Sequence, residues 1–156
     1  MRLHPIIWSL PLALAPLTGC RTSSCGQTGC LGTVELLLSQ PMEHPGDYVF
    51  DVQVGAGDTV RCTVSHPAGP TSCDQRWADV LTGSEGTLDG VILYRTDIRS
   101  VSVSVARDSQ VIGGGTYAPE YEKWFPNGPI CDDKPCRHAL VEVGVVTTAK
   151  RDRSAQ

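Results

Sequence analysis

The chain has 156 residues and a formal net charge of −4, with 13 Lys+Arg against 17 Asp+Glu. A mildly acidic chain with scattered basic residues has no electrostatic basis for nucleic-acid binding, which depends on neutralising phosphates. The length allows one domain of ordinary size with a real core, and seven cysteines fit an oxidising compartment better than a reducing one.

Taken in chain order, residues 1–19 read as a signal peptide. Arg2 is the only formal charge before the apolar run "PIIWSLPLALAPL" (5–17), and His4 adds a partial one. A membrane-spanning helix needs about 20 apolar residues. This run is shorter, and Pro11 and Pro16 interrupt it. A charged start, a short apolar middle and a small-residue end describe a secretory signal. The closing "LTGC", Leu17 to Cys20, resembles the lipobox of bacterial lipoproteins. The resemblance implies cleavage before Cys20, lipid on its thiol and attachment to a membrane through that lipid. Because Arg21 is not aspartate, it also implies the outer rather than the inner membrane if the cell is Gram-negative. Removing the segment takes away Arg2 alone among the charges and leaves the chain slightly more acidic.

Residues 20–32, "CRTSSCGQTGCLG", read as a lipidated tether rich in small residues. A β-sandwich domain over 33–148 follows. "TVELLL" (33–38) is a short apolar strand. "YVFDVQV" (48–54) puts Tyr48, Phe50, Val52 and Val54 on one face, and "TVRCTVS" (59–65) turns Val60, Cys62 and Val64 inward. Such period-two alternation marks half-buried strands, and "GAGD" (55–58) between them makes a hairpin. "RWADVL" (76–81) fits either a strand or a helical turn. "VILYRT" (91–96) is a buried-type strand after the loop "GSEGTLDG". "VSVSVAR" (101–107) alternates most cleanly, "DSQ" turns it, and "VIGGGTYA" (111–118) returns. The loop 119–137 leads to the last strand, "HALVEVGVV" (138–146), and residues 149–156 form a polar tail with Lys150, Arg151 and Arg153. Seven or eight short strands with turns between them and no helical period predict an all-β fold, an antiparallel β-sandwich of Ig-like or transthyretin-like kind.

The chain resembles a group of uncharacterised bacterial lipoproteins that carry one exported, cysteine-containing β-sandwich. The residues behind the likeness are the hairpin with a cysteine on its second strand, "SVSVSVARDSQVIGGGTYAPEYE" and "PNGPICDDKPCRHALVEV". The resemblance implies fold and location only.

Setting aside Cys20 leaves six cysteines: Cys25, Cys30, Cys62, Cys73, Cys131 and Cys136. An even number predicts disulfides throughout. Cys62 and Cys73 flank a Pro-Gly-Pro loop that a bridge would clip back to the sheet. Cys25/Cys30 and Cys131/Cys136 are two C-x4-C units, each just before a strand. If the first and last strands are parallel neighbours, both units lie at one end, open to local bridges, to cross-bridges or to a four-thiolate zinc site, which export disfavours. No metal or cofactor is expected. "GGGTYA" (113–118) matches a dinucleotide fingerprint formally, but that mechanism needs a helix start. The glycines suit a β-bulge or a close backbone approach better. No catalytic signature is present, and His138 and His66 near cysteines lack a free thiol to activate.

The loop 119–137 is the place to look for function. Tyr121, Trp124 and Phe125 stand near its start, with Tyr117 just before it. Aromatic residues on a loop beside a rigid sandwich form either a partner platform or a plug for the end of the core, and in a domain with few aromatic residues the plug is the expectation. The sequence thus predicts an envelope binding or structural module with a protein or polysaccharide partner. The alternatives are a small exported hydrolase with a scattered site, or a metal-binding envelope protein.

Overall fold

The computed structural model describes residues 31–128 and 134–146. Ten strands form there: β1 (Thr33–Met42), β2 (Gly46–Val54), β3 (Asp58–His66), β4 (Thr71–Cys73), β5 (Ala78–Thr82), β6 (Leu88–Leu93), β7 (Val101–Arg107), β8 (Gln110–Tyr117), β9 (Glu122–Trp124) and β10 (Cys136–Val143). No helix occurs among the described residues. The strands make two five-stranded sheets, ordered β5-β6-β1-β10-β9 and β4-β3-β2-β7-β8. Pairing is antiparallel except between β1 and β10, which run parallel from Thr33↔His138 to Leu38↔Val143. The first and last strands are therefore neighbours.

Alternation decides what is buried. Tyr48, Phe50, Val52 and Val54 of β2 join Val60, Cys62 and Val64 of β3 and Val101, Val103 and Val105 of β7 in the core. From the other sheet come Val34, Leu36 and Leu38, then Leu88, Val91 and Leu93, then Ala139, Val141 and Val143. The two inner faces thus make one sandwich-like core. Tyr48 is fully buried, and its hydroxyl donates to the His44 carbonyl at 2.8 Å, so its polar end is satisfied.

The turns follow their chemistry. Gly55, at φ +58°, starts the β2–β3 turn, where the left-handed region is cheap for glycine. Asp108 and Ser109 both have positive φ at the β7–β8 turn, as a two-residue hairpin turn of matching twist requires. The register shift in the β7–β8 ladder falls at Ile112, immediately before the run Gly113–Gly115. A side chain on Gly113 would run into the backbone at Gly144 and Val145, so that glycine serves a close approach next to the bulge. That approach lets residues 144–146 cover the β8 edge through Gly114 N–H to the Gly144 carbonyl and Val146 N–H to the Ile112 carbonyl.

One open reading is settled, and two details differ from the sequence expectation. In the segment 76–81, Arg76 and Trp77 form a turn and the rest belongs to strand β5 (Ala78–Thr82). The strands number ten rather than seven or eight, because β4 and β9 each add three residues at a sheet edge, too few to show alternation. And β9 lies inside what reads as one long loop, since all three of its residues are exposed and backbone pairing to β10 alone defines it. The predicted Cys62–Cys73 disulfide is formed. It joins facing residues of β3 and β4, so it clips an edge within one sheet and does not tie the two sheets together.

Candidate functional site

Strand register collects the site from three distant segments. Residues opposite each other on paired strands share a face. On β1 the outward positions are Thr33, Glu35 and Leu37; on β10 they are His138, Leu140 and Glu142; on β9 they are Glu122 and Trp124. Thr33 faces His138, His138 faces Glu122, and Glu35 faces Leu140. At the start of β1 these side chains, with Leu31, line a depression of about 350 Å³: Leu31, Thr33, Glu35, Glu122, Trp124 and His138.

Its chemistry is mixed. Trp124 is 49% exposed, Leu31 69% and Leu140 60%, so a large apolar area faces water on one side of one sheet. Glu35, Glu122 and Glu142 stand among these groups, and Asp79 of β5 is on the same face. The strands of this sheet place no lysine or arginine there: Lys123 and Arg137 pair with each other on the opposite side of the β9–β10 ribbon. Thr33 Oγ1 lies 2.8 Å from His138 Nδ1. A hydroxyl beside an imidazole is the nucleophile–base pair of a triad without the third group that orients the base. Here Thr33 is only 9% exposed, and the flanking strand backbone is engaged in the β1–β10 ladder, so it is not free to donate to a developing oxyanion. The contact fixes the imidazole against the strand. Among the described residues no three His, Cys, Asp or Glu side chains are placed to hold a metal ion.

The outer face of the other sheet is a contrast. A depression of about 530 Å³ runs over Asp51, Gln53, Thr59, Arg61, Asp74, Ser102 and Ser104. Its charged groups are paired: Arg61 Nε and Nη2 donate to the two Asp51 carboxylate oxygens at 2.6 and 3.1 Å, and Arg61 N–H donates to Asp74 Oδ1 at 2.9 Å. On the strands around it Thr63 and Ser72 share a hydrogen bond, and so do Ser102 and Thr116. The bond to Asp51 and its charge raise the Arg61 pKa. This is a solvated surface rather than a waiting site.

The aromatic cluster read from the sequence divides. Tyr121 packs against the core, donates its hydroxyl to the Ile98 carbonyl at 3.0 Å and accepts from Ile98 N–H at 3.2 Å. Burial pushes its pKa up, against that hydrogen bond and the Arg137 guanidinium, which lies 4.8 Å from the ring centre. Tyr117 also packs on the core. Trp124 and Phe125 do not: they are 49% and 39% exposed. The expectation that Trp124 plugs the sandwich is therefore corrected. Strand β9 is the sheet edge, and alternation turns Trp124 to the outer face. Cys136 is buried and disulfide-bonded, so it is no thiolate ligand; its partner lies outside the described residues, as do Cys20, Cys25, Cys30 and Cys131. Sequence reasoning passed over Thr33, Glu35 and Glu122 and gave His138 a minor place. The one available signal was apolar Leu37 and Leu140 at positions that alternation assigns to solvent.

Compared with family models, curated proteins and solved structures, the chain matches none.

Proposed function

We propose that the protein is a lipid-anchored envelope module of the Ig-like or transthyretin-like sandwich class that binds a partner through the outer face of β5-β6-β1-β10-β9. The parallel neighbourhood of first and last strands supports the Ig-like reading, and the lipobox-like "LTGC" supports the anchor. The observation that carries the binding role is the depression itself, in which Trp124 and Leu31 stand in water beside carboxylates that have no ion-pair partner among the described residues. Apolar area concentrated on one face marks a contact surface. The depression opens where β1 begins, a dozen residues after Cys20. At about 3.5 Å per extended residue, the tether keeps it within about 40 Å of the lipid.

Two measurements test this. Cys20→Ser should abolish metabolic lipid labelling, and normal labelling of that variant ends the anchor reading. Crosslinking in the native envelope should give a partner adduct that a Trp124→Ser/Leu140→Ser double variant loses and a Thr63→Ala/Arg61→Ala double variant keeps. The reverse pattern moves the binding surface to the other sheet.

A further inference from the structure

Resting on that assignment of the binding face, we infer that the depression beside Trp124 receives a lysine or arginine side chain from a basic segment of a partner protein. Three observations select that occupant. First, the charge on the face has one sign. Glu35 and Glu122 line the depression and Glu142 lies further along β10 on the same side, while strand alternation sends Lys123 and Arg137 to the other side. Second, Trp124 is half exposed and lines the same depression as the two carboxylates. An indole face beside carboxylates suits a cation with an apolar stem: the ring attracts the charge, the acids pair with it, and the methylenes lie along Leu31 and Trp124. The fold already uses this chemistry twice, with Arg95 over Trp77 at 5.2 Å and Arg137 over Tyr121 at 4.8 Å. In both cases the chain supplies its own cation. At Trp124 the described residues supply none. Third, the imidazole of His138 is held by Thr33, so the floor between the two glutamates is fixed before a ligand arrives, which lowers the ordering cost of binding.

The opposite outer face does not fit the same partner. There Arg61 already occupies Asp51, and no aromatic residue lines the depression.

The test uses the full chain in a non-ionic detergent and fluorescence anisotropy of labelled hexalysine and hexaarginine. Both peptides should bind at low salt, and affinity should fall steeply as added salt shortens the screening length. Glu35→Gln/Glu122→Gln should weaken binding at least tenfold. Trp124→Ala should weaken it several-fold, and Trp124→Phe should restore most of the loss, as an aromatic face requires and a generic acidic surface does not. Asp51→Asn on the other sheet should change nothing. Circular dichroism melts confirm that each variant is folded, and Glu35→Gln alone is the fallback if the double variant is not. The inference is overturned if neither peptide binds, if Asp51→Asn costs as much as the double variant, or if Trp124→Ala is silent. It is also overturned if malto- or chito-oligosaccharides bind through Trp124 in place of the peptides, or if phosphatidylethanolamine vesicles do. An envelope adduct that still depends on Trp124 and Leu140 while both peptides fail would leave the binding face standing and remove only its cationic ligand.

Discussion

On the outer face of β4-β3-β2-β7-β8, Arg61 holds Asp51, Thr63 meets Ser72 and Ser102 meets Thr116. On the outer face of β5-β6-β1-β10-β9, Trp124 and Leu140 stand in water and Glu35 and Glu122 have no ion-pair partner among the described residues. Both faces are built on the same core by the same alternation, so the difference does not come from folding needs. A sheet surface whose polar groups close on one another gains nothing from a partner. One that leaves an indole and carboxylates unmatched pays a standing cost in exposed apolar area, and the proposed contact face rests on that asymmetry.

The sharpest way to break the comparison is to remove what both faces share. Phe50 is almost fully buried, and Phe50→Ala should cost about 3–5 kcal/mol. Chemical denaturation followed by circular dichroism should show both sheets lost in one transition; separate transitions would mean that the faces belong to independent units.

A smaller effect should come from the edge of the closed face. Opening Cys62–Cys73 by Cys62→Ala/Cys73→Ala should cost about 2–4 kcal/mol, read as a lower denaturation midpoint. It should leave capture through the other face intact once the protein is folded. A loss of capture at unchanged fold content would show that the two faces are coupled.

The aromatic residues sharpen the contrast within one short segment. Tyr121→Phe removes a hydroxyl that both donates to and accepts from Ile98 and should cost about 1 kcal/mol. Trp124→Ala, three residues on, should move stability by only about 0.5 kcal/mol. A large loss at Trp124 in thermal melts would return it to the core and undo the assignment of the open face.

The smallest effects are those of pH. Hydrogen bonding to Arg95 is the first cause of the lowered Asp97 pKa. A carboxylate with a depressed folded pKa lends stability above its unfolded value and loses it as pH falls through the folded one. Asp97→Asn should therefore lower stability slightly at neutral pH, flatten the acid limb of the stability curve to the same small extent, and leave the low-pH end unchanged. Tyr121 has the opposite sign of dependence. Its raised pKa means that the folded chain holds the phenol proton longer than the unfolded chain, so stability falls as pH rises above the ordinary tyrosine value, about 10. Tyr121→Phe should remove that alkaline dependence in melts above pH 10.

The strands were legible because their signal is local. Tyr48-Phe50-Val52-Val54 and Val101-Val103-Val105 announce a buried face within seven residues, and the Cys62–Cys73 bridge follows from a strand and a short loop. The site was not legible, because none of its elements is local. Thr33 meets His138 across a separation of 105 positions, and no pattern inside either strand states that they are neighbours. Trp124 was visible as a residue but not as a surface. Its orientation depends on a three-residue edge strand that exists only because β10 is there to pair with, so burial in the core was the natural and mistaken expectation.

The parallel pairing of β1 with β10 has a consequence in time. A ribosome delivers the chain from its first residue onward, and the hairpins β2–β3 and β7–β8 can close as soon as each has emerged. Strand β1, emerging before all of them, can gain β6 on one side but must wait for β10 on the other. Until then it keeps an unpaired row of backbone groups, and such an edge invites pairing with other chains. A premature stop anywhere before Cys136 would therefore do more than shorten the protein. It would leave the middle of one sheet permanently open, and the product should be removed as an aggregating species rather than persist as a weakened one.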